Sequence, residues 1–167
     1  MEPSETAIIP SSENVARLLT PDWVFEGVLQ HTAFMLKANE TYISVNRPAV
    51  ETFHQDVTSF LSSHPHYCVE GTDDTYQCAM LNVGDIRAIN VAYEDKIMDI
   101  NVEIEPRDAH VKSHAGIFTR FHSEIVKNGK VLKYGPIGEE ISADQILLDV
   151  RFQLLSIASI EQHKVNK

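Results

Sequence analysis

Met98-Asp99-Ile100-Asn101-Val102-Glu103-Ile104 alternates apolar and polar residues without a break. Successive side chains of a strand point to opposite faces. Met98, Ile100, Val102 and Ile104 therefore fall on one side, and Asp99, Asn101 and Glu103 on the other. A strand of this kind has one face on a core and one in water, the habit of antiparallel sheets; parallel strands, covered on both sides, run continuously apolar. Just upstream, Ile89-Asn90-Val91-Ala92-Tyr93 alternates as well, and Glu94-Asp95-Lys96 supplies a turn between the two. The pair is expected to form a hairpin.

Outward from this pair, strand and helix patterns are mixed. Thr41-Tyr42-Ile43-Ser44-Val45 is rich in β-branched and aromatic residues and predicts a strand. Tyr76 to Val83 predicts another, entered through a turn at Val69 to Thr75 and left at Gly84-Asp85. Thr32 to Leu36 is a short apolar run that also fits a strand. Asn128-Gly129 lies between Ile125-Val126-Lys127 and Lys130-Val131-Leu132. It predicts a hairpin, because Asn-Gly tolerates the positive φ angles of a type I′ turn. Pro48 suits a first helical turn, and Val50, Phe53, Val57, Phe60 and Leu61 follow as one apolar stripe, stopped by Ser62, Ser63 and Pro65. Ser142 and Gln145 form a capping box for a last helix. The stripe of that helix is Ile146, Val150, Leu154 and Ile157, widened by Leu147 and Leu155. Val15 to Leu19 predicts a short helical turn, ended by Thr20-Pro21.

Helices do not alternate strictly with strands, and no glycine-rich phosphate loop is present, which argues against a doubly wound nucleotide fold. The expected architecture is α+β, a mainly antiparallel sheet with about two helices packed on one face. Residues 1–14, with Pro3, Ser4, Pro10, Ser11 and Ser12, are expected to be a mobile lead-in, and 15–167 a single α+β domain. Trp23 and Phe25 are expected to anchor the core.

The formal net charge is −10, from 14 basic and 24 acidic residues, so a polyanion would be repelled over most of the surface and nucleic-acid binding is disfavoured. The small basic group Lys127, Lys130 and Lys133 fits a solvated hairpin. No apolar stretch is long enough to span a bilayer, and the first residues lack the basic and apolar regions of a signal peptide. The two cysteines, Cys68 and Cys78, are too few for a disulfide framework, so a cytoplasmic protein with reduced thiols is expected.

Three groups of residues carry chemistry at suggestive spacings. His110 and His114 stand four apart behind Arg107-Asp108, and on a helix the two imidazoles with Asp108 could hold a metal or act on a substrate. Val111-Lys112-Ser113 between them lacks the glutamate of zinc hydrolase helices, and the flanking Pro106 and Gly116-Ile117-Phe118 favour a loop entering a strand. His64-Pro65-His66-Tyr67-Cys68 sets two imidazoles and a thiol at alternate positions as loose zinc ligands, or as histidines meeting a helix C-terminus. Ser44-Val45-Asn46-Arg47 ends a strand just before a helix, a place where anions bind. Arg47 could grip a phosphate or carboxylate there, or Ser44 and Asn46 could simply cap the helix. No Gly-x-Ser-x-Gly elbow is present, and neither cysteine has a recognised catalytic context.

Leu19-Thr20-Pro21-Asp22-Trp23-Val24, then Gly27, Ala33-Phe34 and Ser44-Val45, and later His114-Ala115-Gly116-Ile117, together resemble segments of a loose group of small uncharacterised bacterial proteins. The resemblance carries no activity with it. It draws interest to Ser44 and His114 and does not reach the last helix. With a well-patterned core and no convergent catalytic set, the expectation is a bacterial cytoplasmic accessory or protein-interaction domain without catalytic activity and without a cofactor. The broad stripe of the last helix adds self-association. The alternative is a small enzyme or ligand-binding protein that uses His110 or His114 with Ser44, Asn46 or Arg47.

Overall fold

The computed structural model describes residues 9–36, 40, 42–89, 92–93, 96–97, 100–107, 110–121, 124–125 and 143–165. In chain order these form β1 (Asn14–Leu19), β2 (Val24–Phe25), β3 (Val28–Leu29), β4 (Ile43–Asn46), α1 (Phe53–Ser63), β5 (Thr75–Asn82) and α2 (Val83–Arg87). There follow β6 (Ala92–Tyr93), β7 (Lys96–Ile97), β8 (Ile100–Pro106), β9 (His114–Phe121), β10 (Glu124–Ile125), α3 (Ala143–Ile157) and β11 (Ser159–Lys164). Single 3-10 turns lie at Pro21–Trp23, His31–Phe34 and Pro65–Tyr67. The class is α+β.

One antiparallel sheet organises the molecule. Its strands follow the order β9, β4, β1, β5, β11, and β9 also pairs with β8 and, at its far end, with β10. Alternation along the central strands creates two cores. Val15 and Leu19 of β1, with Ala79 and Leu81 of β5, face one side; Ala16 and Leu18, with Tyr76 and Cys78, face the other. Helix α1 covers the second side through Phe53, Val57 and Leu61, each about 1.5–3 kcal/mol of burial. Helix α3 covers the first side through Val150 and Leu154. The two long helices thus divide between the faces rather than sharing one.

This division explains why β1 does not read as a strand. β1 was expected to be a helical turn, yet it pairs with β5 along its whole length, Asn14 opposite Asn82 through Leu19 opposite Gln77. A strand covered on both faces loses its period of two, so Val15-Ala16-Arg17-Leu18-Leu19 carries no alternation. Thr32 to Leu36 was expected to be a strand; the chain forms the His31–Phe34 turn instead, with Ala33 and Phe34 buried. Helix α1 starts at Phe53, five residues beyond Pro48, with Thr52 at its cap and the Thr52 hydroxyl donating to Asp56. β8 pairs with β9, whereas the tight hairpin upstream is β6 with β7. The Asn128-Gly129 hairpin, the basic group at Lys127 to Lys133 and the Ser142 cap lie outside the described residues.

Residues 9–13 were placed in the lead-in. Ile9 is fully buried in the first core, Glu13 pairs with Arg47, and the Gly84 amide donates to the Ser11 carbonyl. Phe25, expected inside, is 65% exposed at the β2–β3 hairpin, while Trp23 is half-buried beside the first core.

Candidate functional site

On the α1 side of the sheet, a cavity of about 790 Å³ opens where β4 and β9 run past the helix. β4 and β9 pair with Asn46 opposite His114 and Ser44 opposite Gly116. Ser44 and His114 are therefore diagonal neighbours on one face, a spacing that long side chains bridge. The Ser44 hydroxyl and His114 Nε2 meet at 2.5 Å on the cavity wall. His110 joins them from the loop ahead of β9, and Asn46 from the end of β4.

A second set of hydrogen bonds holds that loop against α1. Asn46 Nδ2 donates to Ser113 Oγ at 2.9 Å, and Ser113 Oγ donates to Asp56 Oδ2 at 2.7 Å. The Ser113 amide and the Thr52 hydroxyl donate to the same Asp56 oxygen. Burial pushes the Asp56 pKa up, but the donors from Ser113 and Thr52, with the Lys112 charge, outweigh it and hold the carboxyl below its ordinary value. Ser113 is fully buried, so its hydroxyl is a fixed relay between β4 and α1.

Gly116 is required by a close approach. A Cβ there would stand 2.5 Å from Tyr42 Cδ2 and 2.8 Å from Tyr42 Cγ. The Tyr42 ring lies across the strand at that point, 5.1 Å from the Phe118 ring and 5.9 Å from the His114 ring. The Arg107 guanidinium caps Tyr42 and Phe118 at 5.3 and 5.2 Å. The imidazole of the Ser44–His114 pair is therefore walled on one side by a packed aromatic group.

Beyond α1, His64 and His66 of the following turn also line the cavity, with their ring centroids 6.1 Å apart. His64 stacks on Phe60 at 4.2 Å, and its Nδ1 lies 3.0 Å from the Phe60 carbonyl. A carbonyl only accepts, so Nδ1 carries the proton and Nε2 is left as an acceptor in the neutral ring. Tyr67 closes this end, edge-on to Trp23 at 6.1 Å.

Arg17 lies where β1 and β4 part. Only Ala16 and Asn46 are paired between those strands, and the guanidinium enters beyond that point. Its Nη1 donates to the Ser44 carbonyl at 2.9 Å and its Nε to the Ala33 carbonyl at 3.0 Å. The group sits 4.9 Å from the Trp23 ring centre and is only 7% exposed, on the cavity wall. Burial lowers its pKa, opposed by Tyr67 and Glu40, which favour the charge.

The structure thus brings together Ser44, Asn46, His64, His66, His110 and His114, which the sequence put in three separate groups. It takes two candidates away. Arg47, expected to meet an anion, is held by Glu13 in a two-point ion pair, Nε to Oε1 at 2.8 Å and Nη2 to Oε2 at 2.9 Å. Cys68 is buried in the α1-side core and does not line the cavity with His64 and His66. Among the described residues no three His, Cys, Asp or Glu side chains gather as a metal-binding group. Asp108 lies outside the described residues. Arg17, Asp56 and Ser113 were missed: Asp56 and Ser113 reach the site by packing alone, and Arg17 had one signal, a charge inside an apolar run.

A serine hydroxyl held against an imidazole nitrogen is the pairing that general-base activation needs. The same pairing also fixes both groups as an orienting polar edge for a ligand. Among the described residues no helix is long and apolar enough to cross a membrane. No protein family, curated protein or solved structure matches the chain.

Proposed function

We propose that this chain binds a small polar molecule in the α1-side cavity, with Ser44 and His114 as its orienting, or reacting, pair. The observation that carries the reading is the 2.5 Å contact between Ser44 Oγ and His114 Nε2 in the wall of a cavity of about 790 Å³. Ligand pockets commonly hold about 300–1,000 Å³ and combine apolar walls with a few fixed polar groups. Leu18, Phe60 and Tyr67 supply the walls here, and Ser44, Asn46 and His110 the polar groups. For a ligand with an electrophilic carbonyl, the pair is arranged for acyl transfer: His114 takes the Ser44 proton as Oγ bonds the carbonyl carbon, and returns it to the leaving group as that bond breaks.

The test is thermal denaturation with a panel of small acids, amides and esters. A ligand at about 100 times its Kd stabilises by about 2.7 kcal/mol, a Tm rise of about 5–10 °C in a chain this size. That rise should shrink in Ser44→Ala and His114→Gln. A panel that leaves Tm unmoved, or acts equally on both variants, contradicts the reading.

A second reading, an accessory or self-associating protein, has its own observation. Leu148 and Phe152 of α3 are 38% and 48% exposed, and Phe25 and Val28 of the β2–β3 hairpin 65% and 61%. Light scattering across a hundredfold concentration range checks it: a strict monomer throughout removes self-association. Both readings sit in a single domain, supported by one sheet that takes strands from Asn14 to Lys164. The buried thiols of Cys68 and Cys78 support a reducing, cytoplasmic setting.

A further inference from the structure

We infer that the molecule bound in this cavity carries an oxyanion, a carboxylate or a phosphate, and that Arg17 receives it. The inference rests on the cavity reading above and names the chemistry of its occupant. Its basis is the state of the guanidinium. Arg17 is 7% exposed, so its charge has lost most of its hydration. Of its five N–H groups, carbonyls of Ala33 and Ser44 take one each. Among the described residues the other three find no acceptor, and no carboxylate oxygen lies within 4.0 Å of the group.

Other arginines of the chain are treated differently. Arg47 has Glu13 at 2.8 Å, Arg87 has Glu103 at 2.6 Å, and Arg107 has Glu105 at 4.0 Å. A buried cation is costly without a partner, and a fork of N–H groups facing a cavity suits a planar or tetrahedral oxyanion. Two acids line the same space. Asp56 has its Oδ2 occupied by Ser113 and Thr52, and Glu40 acts on Arg17 from beyond ion-pair distance. Neither fills the place of the missing anion. The Nη1 bond to the Ser44 carbonyl puts the guanidinium one residue's span from the Ser44–His114 pair. An anion on Arg17 would therefore hold the rest of a small ligand against that pair. The net charge of −10 disfavours large polyanions over most of the surface, which favours a small anion that fits inside.

The chain supplies its own reporter. Trp23 is the sole tryptophan and stands 4.9 Å from the guanidinium carbon of Arg17. Trp23 fluorescence is followed at constant ionic strength while sodium benzoate, inorganic phosphate or the neutral isostere benzamide is added to the full chain. The expected result is a saturable change with benzoate or phosphate, binding at least tenfold tighter than benzamide; which of the two saturates identifies the oxyanion. Arg17→Met should abolish the change, and Arg17→Lys, which keeps the charge and loses the fork, should weaken it at least tenfold. Benzamide binding as tightly as benzoate overturns the oxyanion inference and leaves the cavity reading intact. So does a response that persists unchanged in Arg17→Met. No response to any of the three, with neutral compounds of the thermal panel binding, also overturns it; no binding by either route overturns both. If Arg17→Met does not fold, the comparison of benzoate with benzamide on the unaltered chain decides alone.

Discussion

Alanine at position 116 does not fit beneath Tyr42. The added Cβ would lie 2.5 Å from Cδ2 and 2.8 Å from Cγ of that ring, and 3.2 Å from Cε1 of Phe118. Ordinary carbon contacts begin near 3.5 Å, so the overlap with Tyr42 is close to 1 Å. Because Cγ is fixed by χ1, the ring cannot escape by flexing its far end. It must swing off the strand and forfeit its packing on Phe118, His114 and Arg107. Overpacking of this kind costs about 1–3 kcal/mol, or about 3–9 °C of Tm for a chain of this length. The decisive assay is a double-mutant cycle by urea denaturation. In a Tyr42→Ala background the clash is gone, and Gly116→Ala should become neutral or stabilising by about 0.5 kcal/mol, since glycine weakens a strand interior. Gly116→Ala costing the same in both backgrounds would refute the packing of Tyr42 over Gly116, and with it the wall assigned to His114.

Three further outcomes follow from single contacts. Asp56 has a folded pKa below its ordinary 3.8, because donors from Ser113 and Thr52 prevail over burial. Its contribution is therefore complete above that ordinary value and is lost as pH falls through the lowered one; Asp56→Asn should flatten the acid limb of stability against pH, and an unchanged limb would count against the relay. Removing either partner of Arg47–Glu13 should cost about 1–2 kcal/mol, with the double variant costing less than the sum in a denaturation cycle. The Cys78 thiol, pushed up to about 12 by burial and then by the Glu161 charge, should label with iodoacetamide at pH 8 about a thousandfold more slowly in the native than in the unfolded chain. Comparable rates in the two states would contradict its burial.

Much of the fold is legible in the residues, and the exceptions have physical causes. Ile43 to Asn46 and the Phe53, Val57, Leu61 stripe follow from propensity and period, because each sends its apolar side chains in one direction; Thr75 to Asn82, buried on both faces, is legible from the turns that bound it. β1 and β11 escape the same rules for opposite reasons. β1 is buried on both faces, so its pattern is uniform; β11, Ser-Ile-Glu-Gln-His-Lys, is an exposed edge and lacks β-branched residues apart from Ile160. Nor does an apolar stripe say which side of a sheet a helix will take. For that the whole sheet is needed, and β1 has to be recognised first.

The site was legible in its parts and not in its assembly. Ser44 and His114 each stood out, but they are 70 positions apart, and only the β4–β9 register joins them. Arg47 and Arg17 differ from expectation for a simple reason. Arg47 follows a strand end, where anions bind, yet a carboxylate already waits there on Glu13. Arg17 lies in a run that would read as a strand buried on both faces, where a charge asks for explanation. Read as a helical turn, the same run exposes Arg17 and raises no such question.

The cavity as a binding site for a small molecule is tested most directly by amide and imidazole NMR shifts during a fragment titration of the intact chain. Saturable shifts are expected at Ser44, Asn46, His110 and His114, with Trp23 following when the fragment is an anion. Shifts that gather instead at Phe25, Val28, Leu148 and Phe152, with the Ser44–His114 signals unmoved, would contradict it.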